Sequence, residues 1–299
     1  MEKSVISFGE VLWDMLPSGA RIGGAPLNVC YHLGRNGIGS QIISQVGKDE
    51  LGQRLWKGME ELGVDVSLCL QDDKHPTSTV EVALDEKGSP SYTIVDHVAW
   101  DFMAYDPDAA AAISRADAFV FGSLAARNPR SKETLMRYLD AATYTVMDVN
   151  LREPFFQSEF ILELVSRTQT LKINEDELAV LGKWIGKDRD EQGMLNGLLN
   201  DFPNLHEIIL TKGEKGAVYH SSTLQLAVDA RPIRIQDTIG SGDAFLAAFL
   251  AHKIKGQPVA VSMEHAVVLS AFVATQEGAC PRYTLKDIEN FKNTVQNDG

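Results

Sequence analysis

A glycine-rich turn that ends in an aspartate is the clearest sign of chemistry in this sequence. Residues 237–245 read DTIGSGDAF, with Gly240 and Gly242 on either side of Ser241 at the start of an apolar helix. Such a turn directs backbone N–H groups outward, where the helix dipole also favours negative charge. Asp243 is placed to take a proton from a hydroxyl group that attacks a phosphoryl group held there. The alternative is a helix start at which Asp243 only complements the dipole.

A second glycine-rich segment lies near the N-terminus. Residues 23–28 read GGAPLN, and paired glycines allow a ligand to approach the backbone closely. Asn28 lies one turn into the predicted helix, where asparagine is unfavourable. Its amide can both donate hydrogen bonds to sugar hydroxyl groups and accept them. The alternative is a glycine turn that leads into a helix with a surface asparagine.

These two segments resemble the two signatures of the ribokinase-like (PfkB) carbohydrate kinases. The first signature corresponds to residues 23–49, GGAPLNVCYHLGRNGIGSQIISQVGKD. The second corresponds to DTIGSGDAF, in which Ser241 stands where alanine is commonest. The order of the predicted elements agrees with the family over essentially the whole chain. GGAPLN, together with DVNLREPFF at residues 148–156, is most similar to the fructokinase branch.

The resemblance implies roles on the acceptor side of the site. Asp14 and Gly24 stand with Asn28 where the family binds sugar hydroxyl groups, and Asp243 stands where it has the base. Backbone N–H groups would stabilise the transferred phosphoryl group at Gly240, Ser241 and Gly242. Arg152 follows a predicted strand end, where open α/β sheets bind ligands, and is a candidate contact to the sugar or to a phosphate oxygen. Trp100 is a candidate to cover the apolar face of the sugar, the alternative being a packing residue.

The resemblance also implies a MgATP site. Asn174 and Glu177 match the family's NxxE motif, whose residues hold the water shell of Mg²⁺. The nucleotide-side turn would be lined by Thr211, Gly213 and Gly216, with adenine against residues 267–279. Asp237 stands where relatives often bind K⁺. An acidic helix start and a plain hairpin turn are the alternatives for the NxxE motif and the turn.

Composition excludes several other classes of protein. The 299 residues carry a formal net charge of −13, and an acidic chain with no basic run argues against a nucleic-acid or anionic-membrane partner. The three cysteines are far apart and lack metal-ligand spacing, which favours a reducing compartment, and we expect a cytoplasmic, soluble protein. Gly9 is followed by Glu10 and Val11, so the GxGxxG motif of a dinucleotide-binding dehydrogenase is missing after the first strand.

Strand–helix alternation predicts an α/β fold in which a mainly parallel sheet is flanked by helices on both faces. We expect a three-layer, ribokinase-like domain over residues 1–299, with a small β-sheet lid formed by about residues 10–23 and 76–103. Strands are predicted at residues 118–121, 145–149, 170–173 and 207–211, an antiparallel strand at 216–220, and a lid hairpin around a turn at 85–88. Relatives commonly pair their lids, so the resemblance implies a homodimer.

The reaction implied by this assembly is transfer of the ATP γ-phosphoryl group to a free sugar, with fructose to fructose 6-phosphate as the first choice. A 2-keto-3-deoxygluconate kinase is the close alternative, because that branch shares the GGAPxN pattern, and Arg152 would then bind the substrate carboxylate. A catalytically silent sugar-binding regulator on the same fold is the alternative from another class. It would be favoured by a changed Asp243 or a broken glycine run, and the sequence has neither.

Overall fold

The computed structural model describes residues 3–16, 19–84, 90–187 and 190–297, so the predicted turn at 85–88 lies outside it. In chain order the strands are β1 (Ser4–Phe8), β2 (Leu12–Leu16), β3 (Gly19–Gly23), β4 (Gly39–Gly47), β5 (Cys69–Asp72), β6 (Thr79–Leu84), β7 (Pro90–Ile94), β8 (Ala118–Gly122), β9 (Thr145–Asp148), β10 (Thr170–Asn174), β11 (Glu207–Thr211), β12 (Ala217–Ser221) and β13 (Gln225–Val228). The helices are α1 (Ala25–Arg35), α2 (Glu50–Glu61), α3 (Pro107–Ile113), α4 (Pro129–Ala141), α5 (Ser158–Ser166), α6 (Glu175–Trp184), α7 (Glu191–Asp201), α8 (Ser241–Ile254), α9 (Val259–Ala274) and α10 (Leu285–Asn297).

Nine strands of the described residues form the main sheet, in the order β13-β12-β11-β10-β9-β8-β1-β4-β5. The strands from β5 to β11 pair in parallel, and β12 and β13 run antiparallel at one edge. Central strands are almost wholly apolar, and β8 (AFVFG) is buried over most of its length. A parallel sheet covered on both faces requires such strands. The predicted α/β fold with three layers is confirmed.

Alternate residues of the central strands enter two separate cores. Ala118 and Val120 face the layer that contains α1, α2, α8 and α9. Phe119 and Phe121 face the layer that contains α3 to α7. Because side chains alternate across a strand, each strand contributes to both layers. None of the described helices is long and apolar enough to cross a membrane.

A separate four-stranded sheet, in the order β3-β2-β6-β7, forms the lid. Its strands all fall inside the two segments predicted for it, residues 10–23 and 76–103. The β2 and β6 strands pair in parallel, and each forms an antiparallel pair with its own hairpin partner. The end of the second segment differs from the prediction, because residues 99–102 form a 3₁₀ turn that packs in the core of the main domain.

Trp100 lies in that turn, so the prediction that it covers the sugar is wrong. Its side chain is 0% exposed and contributes nothing to the cleft below the lid. The guanidinium carbon of Arg127 lies 4.1 Å from the centroid of the Trp100 ring, and Arg127 also forms a buried ion pair with Asp101 at 2.7 Å. Trp100 is therefore a packing residue, because its apolar surface is used up by the core and by this cation–π contact.

Replacement of Trp100 by Phe should reduce the free energy of unfolding by about 1–3 kcal/mol, because the smaller ring loses packing and most of the contact with Arg127. Denaturant unfolding measures this change. Sugar affinity, measured by calorimetry, should stay within about twofold of the wild type. A weaker sugar affinity with an unchanged free energy of unfolding would instead show that Trp100 contributes to sugar binding.

Candidate active site

A cleft of about 810 Å³ lies between the lid and the carboxyl ends of the parallel strands. This is the edge at which open α/β sheets bind ligands. The cleft gathers most of the residues singled out in the sequence: Asp14, Gly24, Asn28, Arg152, Asn174, Glu177, Thr211, Gly240, Gly242 and Asp243. The sequence predicted these residues from distant segments, and the fold brings them to one place.

The start of α8 has the conformation that an anion-binding turn requires. Gly240 is the N-cap residue with a φ of 75°, in the left-handed region that favours glycine. A side chain at this position would also collide with Ala279. The N–H of Ser241 donates to the Thr238 carbonyl at 3.2 Å, which differs from its predicted role as a phosphoryl donor. The N–H groups of Gly240 and Gly242 have no hydrogen-bond partner among the described residues, so they are the donors available to an anion.

Asp243 lies in the first turn of α8, and its Oδ2 accepts a hydrogen bond from Nδ2 of Asn28 at 2.7 Å. Burial raises the pKa of Asp243 to about 6, and the negative charge of Asp148 adds to the effect. The Asn28 hydrogen bond and the cations Lys172 and Arg152 oppose this increase. A carboxylate with a pKa in this range is ionised at neutral pH and yet basic enough to accept a proton from a hydroxyl group.

Asp148 and Lys172 form a buried ion pair that the sequence analysis missed. Nζ of Lys172 lies 2.8 Å and 2.7 Å from the two carboxylate oxygens of Asp148, across the neighbouring strands β9 and β10. Burial disfavours the charged lysine, but the negative charges of Asp148, Asp243 and Glu177 outweigh that effect and raise the pKa of Lys172. A lysine and an aspartate inside apolar strands were the available signal, since unpaired charges are rarely buried.

Lys172 also reaches the anion-binding turn. A Cβ built on Gly242 would lie 3.4 Å from the Lys172 Nζ, an ordinary contact distance, so the ammonium group lies beside this turn. An anion bound to the N–H group of Gly242 would consequently meet a permanent positive charge as well. The combination of backbone donors, a helix N-terminus and a buried cation favours a strongly negative ligand.

Asn174 and Glu177 bond to each other at the start of α6. Asn174 Oδ1 accepts from the Glu177 N–H, and Glu177 Oε2 accepts from the Asn174 N–H, both at 2.9 Å. Glu177 Oε1 accepts from the Leu151 N–H at 3.0 Å. Burial and Asp148 raise the pKa of Glu177, and Lys172 opposes them. Because both carboxylate oxygens already accept hydrogen bonds, this pair suits a Mg²⁺ held through its water shell.

The lid side of the cleft contains two further carboxyl groups. Asp14 projects from β2, and burial raises its pKa. Glu10, which the sequence analysis did not propose as a site residue, is 4% exposed. Burial raises its pKa to about 7, against the opposing effect of Arg152. Gly24 allows the chain to pass here, since a Cβ on it would collide with the Glu10 carbonyl oxygen.

A second cavity, of about 550 Å³, adjoins the cleft. Thr211, Gly213 and Gly216 line one wall, as predicted for the nucleotide-side turn, and α9 lines another with Val267, Ser270, Ala271 and Ala274. This cavity and the cleft share Thr211, Thr238 and Gly242, so they meet at the start of α8. The apolar walls of this cavity suit a flat aromatic ring, and the shared residues open the cavity onto the anion-binding turn.

The predicted K⁺ residue Asp237 holds together two neighbouring loops. Its Oδ1 accepts from the Ile239 N–H at 3.0 Å, and its Oδ2 accepts from the Gly278 N–H at 3.1 Å. Among the described residues there is no group of three or more His, Cys, Asp and Glu side chains that could hold a metal ion.

Two adjoining cavities that meet at an anion-binding turn, one of them below a β-sheet lid, are typical of small-molecule kinases with a ribokinase-like fold. The model for the pfkB family carbohydrate kinases matches residues 19–284, and the chain belongs to this family.

Relatives with similar sequences and structures include several fructokinases. Fructokinase-2 from Oryza sativa subsp. japonica is 26% identical, and the comparison covers 93% of this chain and 90% of that protein. A fructokinase from Xylella fastidiosa with bound ATP superposes with a TM-score of 0.87 at 21% identity, covering 99% of this chain and 100% of that one. A double-mutant fructokinase from Vibrio cholerae O395, bound to fructose, ADP and potassium ion, gives 0.84 at 23% identity, with 97% and 98% covered.

The elevated pKa of Asp243 implies that its charge destabilises the folded protein. An ordinary aspartate ionises near pH 3.8 in the unfolded chain but near 6 here, so the protein loses stability as the pH rises through this range. We expect Asp243→Asn to stabilise the protein at pH 8 by about 2–3 kcal/mol, and by less than half as much at pH 4.5.

Denaturant unfolding of the ligand-free protein at the two pH values measures this difference. Asp201→Asn, an exposed aspartate at the end of α7, is the matched control and should change stability little at either pH. A destabilised Asp243→Asn protein at pH 8 would show that the Asp243 charge is compensated in the fold.

Proposed function

We propose that this carbohydrate kinase transfers the γ-phosphoryl group of MgATP to a free sugar, most favourably fructose to give fructose 6-phosphate. The observation that carries the proposal is the position of Asp243. It is a carboxyl group with a pKa of about 6, at the point where the cleft and the second cavity meet, next to the N–H group of Gly242, which has no partner in the described part of the chain. A base beside an anion-binding turn is what phosphoryl transfer to a hydroxyl group requires.

The cleft residues are assigned to the sugar as follows. Asp14 accepts hydrogen bonds from sugar hydroxyl groups, and the glycine at position 24 lets the sugar approach the backbone. Asn28 positions both the sugar and Asp243, since its amide contacts Asp243 and faces the same cleft. Asp243 then removes the proton from the reacting hydroxyl group. Closure of the lid excludes water, which limits hydrolysis of the nucleotide.

The second cavity is assigned to ATP, with adenine against α9 and the phosphates toward Gly242. When bound, MgATP supplies the phosphoryl group, and the metal offsets phosphate charge. Asn174 and Glu177 would hold the water shell of Mg²⁺. Lys172 and the N–H groups of Gly240 and Gly242 would stabilise the transferred group. A K⁺ ion near Asp237 is part of the proposal, in line with the potassium-bound relative.

A keto acid is the second candidate substrate, and one observation favours it. Arg152 lines the cleft and forms no ion pair with a described residue. A substrate carboxylate could therefore take this position, as a 2-keto-3-deoxygluconate kinase would require. The fructokinases among the relatives support fructose. A silent sugar-binding regulator is opposed by the intact Asp243 and glycine run.

The lid is also the proposed contact of a homodimer, because an open four-stranded sheet has strand edges that a second copy can cover. Met15 on the inner strand β2 is 40% exposed and would be buried if the second copy also covered a face of this sheet. Analytical ultracentrifugation tests the proposal, since a monomer at micromolar concentration would contradict it. No nucleic-acid or membrane partner is proposed.

The test of the function is release of ADP from MgATP in the presence of fructose, 2-keto-3-deoxygluconate, ribose, glucose, mannose or adenosine. Strong stimulation by fructose alone supports the fructokinase assignment. Stimulation by the keto acid transfers the assignment to that branch and makes Arg152 the specificity residue. Sugar binding without turnover by any member of the panel would favour the regulator.

Asp243→Asn should lower kcat by about 10²–10⁴-fold, the range typical for loss of a general base, while the sugar Kd changes little. Steady-state kinetics and calorimetry measure the two quantities. The exposed Asp201→Asn is the control and should keep wild-type kinetics. Near-normal turnover of Asp243→Asn would overturn the assignment of the base.

The pH dependence follows from the same carboxyl group. Asp243 must be ionised to accept a proton, so kcat/KM should fall about tenfold per pH unit below pH 6. Because Glu10 titrates near pH 7, the pH profile is also measured for Glu10→Gln. This variant should show the same fall in kcat/KM below pH 6 as the wild type. A wild-type profile that stays flat down to pH 4.5 would contradict the assignment.

A further inference from the structure

Cys280, in the loop between α9 and α10, extends the hydrogen bonds of the active site by one residue. Its Sγ lies 3.4 Å from Oδ1 of Asn28. The other end of the same amide, Nδ2, donates to Asp243 Oδ2 at 2.7 Å. A chain of two hydrogen bonds therefore runs from the thiol through the amide to the carboxylate.

Only one orientation of the Asn28 amide satisfies both neighbours. The carboxylate of Asp243 is an acceptor, so it requires the NH₂ group, and the carbonyl oxygen must then face a donor. The Cys280 S–H supplies that donor. Burial and the charge of Asp243 raise the pKa of the Cys280 thiol, so it stays protonated at neutral pH. If the amide turned over, its oxygen would face the carboxylate and its NH₂ group would face the thiol.

The position of Cys280 is fixed from both sides of the site. Its neighbours in the chain bond to α1: Tyr31 Oη donates to the Pro281 carbonyl at 2.5 Å, and His32 Nε2 lies 2.9 Å from the Ala279 carbonyl oxygen. Ala279 also packs against Gly240 of the anion-binding turn. The thiol is consequently held by the same helix that carries Asn28 and by the turn that precedes Asp243.

We propose that Cys280 is a positioning residue, whose S–H group holds the NH₂ group of Asn28 toward the base Asp243. This inference rests on the proposed function for the role of the base. It assigns a task to a side chain that need not touch the sugar, the nucleotide or the transferred group.

The consequence is a change in how Asp243 titrates. A donor to a carboxylate favours its ionised form, so an Asn28 amide that is free to turn over stabilises the charge less. Asp243 also interacts electrostatically with four other charged groups, and the substitution of Cys280 leaves all four in place: Glu10, Asp148, Arg152 and Lys172. Loss of the thiol should therefore move the titration of Asp243 to higher pH.

The test compares Cys280→Ala with Cys280→Ser, since a serine hydroxyl group can also donate to Asn28. For Cys280→Ala we expect kcat/KM at pH 6 to be about twofold to fivefold below wild type, with rates within about twofold at pH 8.5, as an increase of about half to one unit in the pKa of Asp243 implies. Cys280→Ser should retain most of the wild-type kcat/KM at acidic pH. Cys69→Ala, which removes a buried thiol in β5, is the matched control and should keep the wild-type limb.

A second readout needs no substrate. Asp243→Asn should increase the free energy of unfolding by an amount that grows with pH until Asp243 is fully ionised in the folded protein. Above that pH the increase is constant and forms a plateau. In the Cys280→Ala background this plateau should begin at higher pH, and in the Cys280→Ser background at the wild-type pH. If the chain phosphorylated none of the sugars, this readout would still decide the inference.

Three results would overturn the inference. One is a Cys280→Ala protein whose pH profile and plateau both superpose on the wild type. Another is a Cys280→Ser protein as impaired as Cys280→Ala, because a donor at this position would then be irrelevant. A loss of activity that is equal at all pH values would point to packing alone and would also reject the positioning role.

Discussion

The ion pair between Lys172 and Asp148 is the interaction on which the charges of the active site depend. Its two side chains project from neighbouring parallel strands into a region that also contains Glu177 and Asp243, so one lysine faces three carboxyl groups, those of Asp148 and Glu177 being buried. Removal of one partner from a buried pair typically costs about 3–5 kcal/mol, because it leaves an uncompensated charge. Here the loss of Lys172 would also remove a cation from the anion-binding turn. The ion pair thus links the stability of the sheet edge to the electrostatics of the site.

The surplus of negative charge around Asp243 makes its carboxyl group more basic. Burial and Asp148 keep its pKa near 6, and Asn28, Lys172 and Arg152 prevent a further increase. A fully paired aspartate would be a weak base, and an isolated buried one would stay protonated at neutral pH. This pKa predicts that the folded protein is less stable with the charge in place, and functional groups often lower stability in this way.

Close contacts of the backbone connect the lid and the main domain around this charge. Gly24 passes against the backbone of Glu10, and Gly240 packs against Ala279. Larger residues at either position would move a wall of the cleft. The loop at residues 279–281 bonds to α1 and packs against the start of α8, so Asn28 and the anion-binding turn are held by a common set of contacts.

The α/β class, the parallel strands and the glycine turn before Asp243 could be predicted from the sequence, because they depend on local patterns of apolar residues and glycines. Asp14, Gly24, Asn28 and Arg152 were predicted as site residues from motifs that resemble those of a family, and all four line the cleft. Tertiary structure alone decided which charges meet. Asp148 and Lys172 belong to different strands, and their pairing follows from strand order. Trp100 was assigned to the sugar from its place in a lid segment, but the chain turns back into the core before it, where Arg127 covers the ring. Burial and distance set these outcomes, and neither is a local property of the chain.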